Sequence, residues 1–330
     1  MSTWELERAM AEGGLIPPDA PPLPFGSEGR PWFVSLVLGG AGWLASFFAL
    51  LFVLLLFEPD TPAGAAFLGV VMLGAGFALY RADRHDAFFG QLALALSLAG
   101  QLALMYAFVE ATESAAGLAA FTAVLSTAMV LWLPNHFARA LSAFFACVAW
   151  ALFVRIGWWG DNLFTPGRLA VALLPALVGW FVIWLPIAAG VHLLISREAS
   201  WMATEARRVA RPALTGLLLA LSVGTWASEP FAALPFLAPA EVPVNWLVIW
   251  PLLAVAAALY AGVCAFRLGH RAMIGVAIAG ALVHLVQFYY LLGVSLVVKS
   301  YVMLVLGGVL LLLARALRTR VAETAPAMGE

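Results

Sequence analysis

The chain has 330 residues, of which 64% are hydrophobic and 11% charged, with a formal net charge of −1 and a mean hydropathy of +0.99. Soluble domains are about half apolar and about a quarter charged, so a water-soluble fold around one large core is excluded. The near-zero net charge also gives no basic field for holding nucleic acid.

In chain order, residues 1–31 read as a cytoplasmic N-terminal piece. "TWELERAMAEGGLI" predicts a short helix, with Thr3 as cap, Glu5 and Glu7 in the first turn and Gly13-Gly14 as terminator. "PPDAPPLPFGSEGRP" then reads as a proline-rich linker. The first apolar run, 32–57, exceeds the roughly 7–15 residues of a cleavable signal core, and we read it as a retained membrane helix. Nine more runs follow at 63–80, 87–109, 115–133, 137–154, 169–196, 212–228, 244–266, 273–292 and 297–316. Most are close to the ~20 residues that a helix needs to cross a bilayer. Their unbroken apolarity excludes a barrel, whose strands alternate in ~10-residue segments. The expected fold is therefore all-α, a polytopic inner-membrane helical bundle with about ten transmembrane helices, eight or nine being the alternatives. The transmembrane domain is expected over 32–316 and a cytoplasmic tail over 317–330.

The breaks between runs, such as "FEPDTPAG", "RADRHDA", "LPNH" and "FRLGHRAM", combine charge with Pro, Gly or Asn, which stop helices and belong at headgroups or in water. The positive-inside rule tests this partition independently, because the runs were chosen by hydropathy. With the N-terminus in the cytoplasm, 14 of the 17 basic residues fall on the cytoplasmic side, leaving only Arg155, Arg168 and Lys299 opposite. Both chain ends are thus expected inside. Three breaks are irregular. The sixth run carries Pro175 and Pro186 and is long enough to tilt or kink. The loop 197–211 is the basic centre, and its "EARRVAR" is expected as a short interfacial helix meeting anionic headgroups, with a polyanion site as the alternative. "ASEPFAALPFLAPAEVP" reads as a re-entrant or interface-lying outer loop, or as an extension of the seventh run.

Lys299 lies inside the long apolar stretch 273–316. As one helix those residues would span roughly 66 Å at 1.5 Å per residue, about twice a ~30 Å hydrocarbon core, so the stretch must fold back. A turn around Leu292–Leu296 puts Lys299 in the first turn of the last helix at the outer interface, where its stem can snorkel. A cation is slightly disfavoured at a helix N-terminus, which points to a partner such as a carboxylate or a lipid phosphate. Lys299 is then either an interfacial anchor or a functional group.

No phosphate-binding glycine loop, HExxH, GxSxG or CxxC occurs, so no catalytic residue, metal ligand or cofactor is assigned. Cys147 and Cys264 sit in apolar runs and read as small buried hydrophobes. The candidate binding residues are polar groups in or beside the runs: Gln101 and Ser97 on one face of the third, Glu110 just beyond its end, and His284, Gln287 and Tyr290 at three-residue steps along the ninth, near Tyr289 and Lys299. Each has a plain counterpart, since Gln, Ser and His within spans usually join helices and terminal aromatics are usually belt anchors. No Asp or Glu is placed mid-span, which speaks against a proton- or sodium-driven carrier of the usual kind.

"GLIP", followed by "PWFVSLVLGGAGWLASFFALLFV" and the closing "FYYLLGVSLVVKSYVMLVLGGVLLLLARAL", resembles the bacterial multi-pass membrane proteins called domain of unknown function 4401. The family-like residues are Trp32, Trp43, Tyr290, Lys299, Ser300 and Gly307. The resemblance implies an inner-membrane protein without an assigned activity and supplies no catalytic residue. It also implies a partner, a membrane-anchored protein with a GDYxxLxY motif. The expected function is a non-enzymatic membrane subunit or scaffold whose periplasmic face holds a partner protein or a membrane lipid headgroup. The alternatives are a transporter or flippase of a lipidic or small amphiphilic solute and, behind it, an intramembrane enzyme on a lipid-linked substrate.

Overall fold

The computed structural model describes residues 61–82, 87–159, 173–229, 250–292 and 294–324, together with seven positions between Val37 and Leu51, all helical. The N-terminal helix and linker expected at 1–31, most of the first run, Arg168 and most of the "ASEPFAALPFLAPAEVP" segment lie outside the described residues.

Ten α-helices and one 3₁₀ turn are described, with no strand among the described residues: α1 (Pro62–Ala82), α2 (Ala87–Thr112), α3 (Ala115–Trp132), α4 (His136–Trp159), α5 (Leu173–Ser196), α6 (Glu198–Met202), α7 (Arg207–Val223), the turn Gly224–Ser228, α8 (Trp250–Arg267), α9 (Arg271–Leu291) and α10 (Leu296–Thr324). Eight helices are long and apolar enough to cross a membrane, namely all except α6 and α10, whose described apolar part is the shorter Leu296–Leu312. Such helices satisfy their backbone groups internally, as hydrocarbon requires. The protein is therefore an all-helical, multi-pass membrane protein.

Two compact units divide the chain, one comprising residues 1–60 and 67–102 and the other 61–66 and 103–330. In the first unit, α1 and α2 meet along a seam of small residues. A Cβ on Gly76 would fall on the Ser97 side chain and the Ala93 carbonyl, and one on Gly100 on the Gly69 carbonyl and Leu73. Close backbone approach of this kind replaces the hydrophobic effect, which lipid does not supply between helices.

The second unit starts where α2 turns into α3. Glu113 takes a left-handed conformation, φ 50°, and the Ser114 hydroxyl caps α3 by accepting from the Gly117 N–H. Phe108 stacks on Phe121 with ring centroids 4.5 Å apart, closing the hairpin. At the next turn the Asn135 side chain caps α4, accepting from the Phe137 and Ala138 N–H groups at 2.8 and 3.2 Å. Helix α7 is the centre of the unit and touches α3, α4, α5, α8 and α9. Two of these crossings have no room for a side chain: a Cβ on Gly216 would meet the Ala140 carbonyl of α4, and one on Gly280 of α9 the Ser222 carbonyl of α7. The core around α7 combines large residues, Trp184, Leu218 and Leu221, with alanines and the two free cysteines, Cys147 and Cys264, both buried. Helices α8 and α9 are joined by a Schellman turn. Gly269 has φ 64°, and the His270 and Gly269 N–H groups donate to the Ala265 and Phe266 carbonyls.

Two expectations change. The "EARRVAR" arginines form no separate interfacial helix. Arg207, Arg208 and Arg211 head α7 itself, and the short preceding helix is α6. Pro212 is the sixth residue of α7 and cannot donate to the Arg208 carbonyl four residues back; that carbonyl accepts from the Arg139 side chain instead. The fifth run does not end at 154 but continues as α4 to Trp159, carrying Arg155 into the helix. The sixth, by contrast, holds Pro186 inside α5 as expected.

Candidate functional site

Within the second unit, one end carries the starts of α4 and α7, with Arg139 and Arg208, and the opposite end carries the α9–α10 hairpin. The expected break is present: α9 ends at Leu291, α10 begins at Leu296, and the Lys299 N–H donates to the Ser295 carbonyl. Lys299 Nζ lies 4.8 Å from the centre of the Tyr289 ring. A ring face is a negative quadrupole and attracts an ammonium by about 0.5–1 kcal/mol at an exposed site. This contact offsets the unfavourable helix N-terminus without a carboxylate. Next to it Tyr290 is 75% exposed, and Leu296, Val297 and Tyr301 on α10 are exposed too.

Behind this hairpin lies a buried polar network that ties the end of α7 to α5 and α9. The 3₁₀ turn has three residues per turn, so Thr225 and Ser228 point the same way and both are buried. Ser228 Oγ accepts from Trp184 Nε1 of α5 at 2.8 Å and donates to the Thr225 carbonyl. Thr225 Oγ1 is 2.9 Å from His284 Nε2, and His284 Nδ1 is 3.4 Å from Gln287 Oε1. That same oxygen accepts from Trp226 Nε1 at 3.1 Å, while Gln287 Nε2 donates to Glu229 Oε2 at 2.6 Å. One arrangement of protons satisfies every bond. The indole N–H can only donate, so the Gln287 oxygen faces Trp226 and its NH₂ faces the carboxylate. His284 then carries its proton on Nδ1 and accepts the Thr225 hydroxyl at Nε2.

Glu229 and His284 are each 1% exposed and Arg155 2%. Glu229 lies one residue beyond the span Arg207–Ser228. Burial raises the pKa of its carboxyl, while the Gln287 bond and the positive charge of Arg155 on α4 draw it down. A buried charge needs a partner, and here two come from different helices. The second oxygen, Glu229 Oε1, is buried and has no hydrogen-bond partner.

The structure thus joins two of the expected residues, His284 and Gln287, and pairs Lys299 with Tyr289. Tyr290 leaves the His284 face, because steps of three advance 300° each and two steps drift 120° from the start. Gln101 is buried in the first unit and donates to the Ser97 carbonyl of its own helix at 3.1 Å. Glu110 is exposed at the end of α2 and belongs to the second unit. Sequence reasoning passed over Arg155 and Glu229, having assigned both to loops. The available signal was the polar pair Thr225 and Ser228 just before Glu229, spaced for a 3₁₀ turn. Among the described residues no cluster of three His, Cys, Asp or Glu could hold a metal.

The profile of a family described as a domain of unknown function, DUF4401, matches residues 31–321, nearly the whole chain. The chain belongs to this family. No curated protein and no solved structure matches it. The DUF4401 match covers both the Lys299 hairpin and the network behind it, so these form part of the family's domain.

Proposed function

We propose that this DUF4401 protein is a non-enzymatic inner-membrane subunit, whose outward hairpin face holds a partner protein or a lipid headgroup. The observation that carries the reading is the pose of Lys299. Its ammonium rests on the Tyr289 ring, makes no ion pair among the described residues, and is flanked by exposed Tyr290, Leu296 and Tyr301. Exposed tyrosines are among the side chains enriched in protein-binding hot spots, and the ammonium beside them adds a charge for an anionic group of a partner or lipid. The resemblance noted above makes a membrane-anchored GDYxxLxY-motif protein the first partner to test. The transport reading has less support. The side chains that would line a path, His284 and Gln287, are engaged with Thr225, Trp226 and Glu229, and the large cleft of the second unit is lined by other residues.

The test is co-expression of the full chain with that partner, followed by co-purification in mild detergent and mass spectrometry of retained proteins and lipids. Lys299→Ala and Tyr290→Ala are expected to reduce the retained partner or headgroup by about fivefold or more, given ~1 kcal/mol for each lost contact. Unchanged protein and lipid complements in both variants would remove the hairpin face from consideration.

A further inference from the structure

At the opposite end of the second unit, the structure points to a second site that the hairpin does not involve. We propose that the cleft between α3, α4, α5 and α7 binds the acyl chain of an anionic phospholipid, whose phosphate is held by Arg139 and Arg208.

The cleft has a volume of about 810 Å³ and is lined by Thr127, Leu131, Cys147, Trp150, Ile187 and Leu217 among others. Its lining is apolar, and Thr127 turns its hydroxyl back to the Ala123 carbonyl at 2.7 Å. Apart from the Trp150 indole N–H and the Cys147 thiol the lining is hydrocarbon, so the part of a ligand lying in the cleft is mainly hydrocarbon. Val124 and Leu131 on its wall are exposed, which leaves it open to the surrounding lipid.

The charge stands at the mouth. Leu131 lines the cleft, and its carbonyl accepts from Arg139 Nη2 at 3.4 Å. Arg139 Nη1 donates to the Arg208 carbonyl. Both acceptors are neutral, Arg139 Nε is buried without a partner, and the Arg139 and Arg208 charges repel each other. The nearby acid, Glu205, pairs with Arg208 at 2.8 Å, and both of these side chains are exposed. Arg139 reaches the backbone of Arg208, and their two positive charges face one exposed carboxylate there, which leaves a positive mouth whose natural complement is a phosphate. An amphiphile with an anionic head and a long tail satisfies the mouth and the cleft together. A free phosphate lacks the tail, and a zwitterionic phospholipid brings a cation of its own to a mouth that is already positive.

The full chain in nanodiscs of phosphatidylglycerol and phosphatidylcholine, mixed equally, would be released into detergent and its retained lipids counted by native mass spectrometry. Phosphatidylglycerol is expected to be retained in excess. Arg139→Gln and Arg208→Gln should each cut that excess about fivefold, the value of one arginine facing anionic lipid. Ala213→Phe, which fills the cleft and leaves both arginines, should reduce retention of phosphatidylglycerol while the thermal midpoint confirms a folded chain. Each arginine variant and Ala213→Phe should cut the phosphatidylglycerol excess by the same factor in the Lys299→Ala background as in the parent chain, so failure of the hairpin proposal and failure of this one are separable. Glycerol 3-phosphate, the head without chains, should not compete. Equal retention of the two lipids, an excess that survives both arginine variants, or full competition by glycerol 3-phosphate would each overturn the site.

Discussion

Replacing Arg155 by methionine tests whether the buried end of α7 is held by charge. Methionine keeps the length and apolar bulk of the arginine stem and removes only the guanidinium. Arg155 and Glu229 are buried to 2% and 1% exposure, so little solvent screening remains; the Arg155 charge favours the ionised Glu229, and its removal costs at most the about 3–5 kcal/mol of a broken buried pair. The Gln287 hydrogen bond to Glu229, 2.6 Å, persists in the variant, which places the loss near the lower end, about 3 kcal/mol. The sign with pH follows from the carboxyl. Burial raises the folded-state pKa of Glu229 above its unfolded value, and losing Arg155 raises it further. The stability of the variant is then fully present below the ordinary carboxylate range and falls as pH rises through the folded value. Unfolding in detergent should show a deficit of ~3 kcal/mol near pH 9, shrinking to ~1 kcal/mol near pH 5, where the remaining cost is lost packing and hydrogen bonding. Adding Glu229→Gln should abolish the pH dependence and recover most of the loss, because the unpaired charge is gone. A deficit that is independent of pH, or a double variant as unstable as the sum of the singles, would show that the two residues do not act as a pair.

Other consequences are quickly checked. Gly280→Val should lower stability by about 2–3 kcal/mol, because its side chain would meet the Ser222 carbonyl, which cannot move aside as a flexible side chain could; a silent substitution would mean that α7 and α9 do not cross there. Gln287→Leu removes the acceptor shared by Trp226 and His284 and the donor to Glu229 at once, with an expected loss of about 2 kcal/mol, readable by thermal unfolding and by a shift in Trp fluorescence. Ser114→Ala removes the cap of α3 and should cost about 1 kcal/mol, whereas Ser114→Asp should restore the stability.

How much was legible beforehand differs between the hairpin and the network. The hairpin could be read because its argument is local: 44 contiguous residues, counted over 273–316, cannot lie straight in a ~30 Å core, so the turn and the place of Lys299 follow from length alone. The helices themselves were legible for a related reason, since hydrocarbon accepts only internally bonded backbone and polar breaks mark their ends. Even so, α4 runs five residues past its apolar run, through Arg155 to Trp159, because an arginine that is buried against other helices does not mark the water surface.

Arg155 shows why that inference has a limit. A single sequence records how hydrophobic a residue's neighbours in the chain are, and this set the all-helical class, the multi-pass character and the fold-back. It does not record which residue of another helix stands opposite. Glu229 and Gln287 are 58 positions apart, and Arg139 reaches Arg208 across 69; only the crossings at Gly216 and Gly280, where backbones touch, bring such groups within bonding distance. Whether a charge beside a span faces water, lipid or an opposite charge is settled by packing, because the cost of burying it depends on the partner that packing provides.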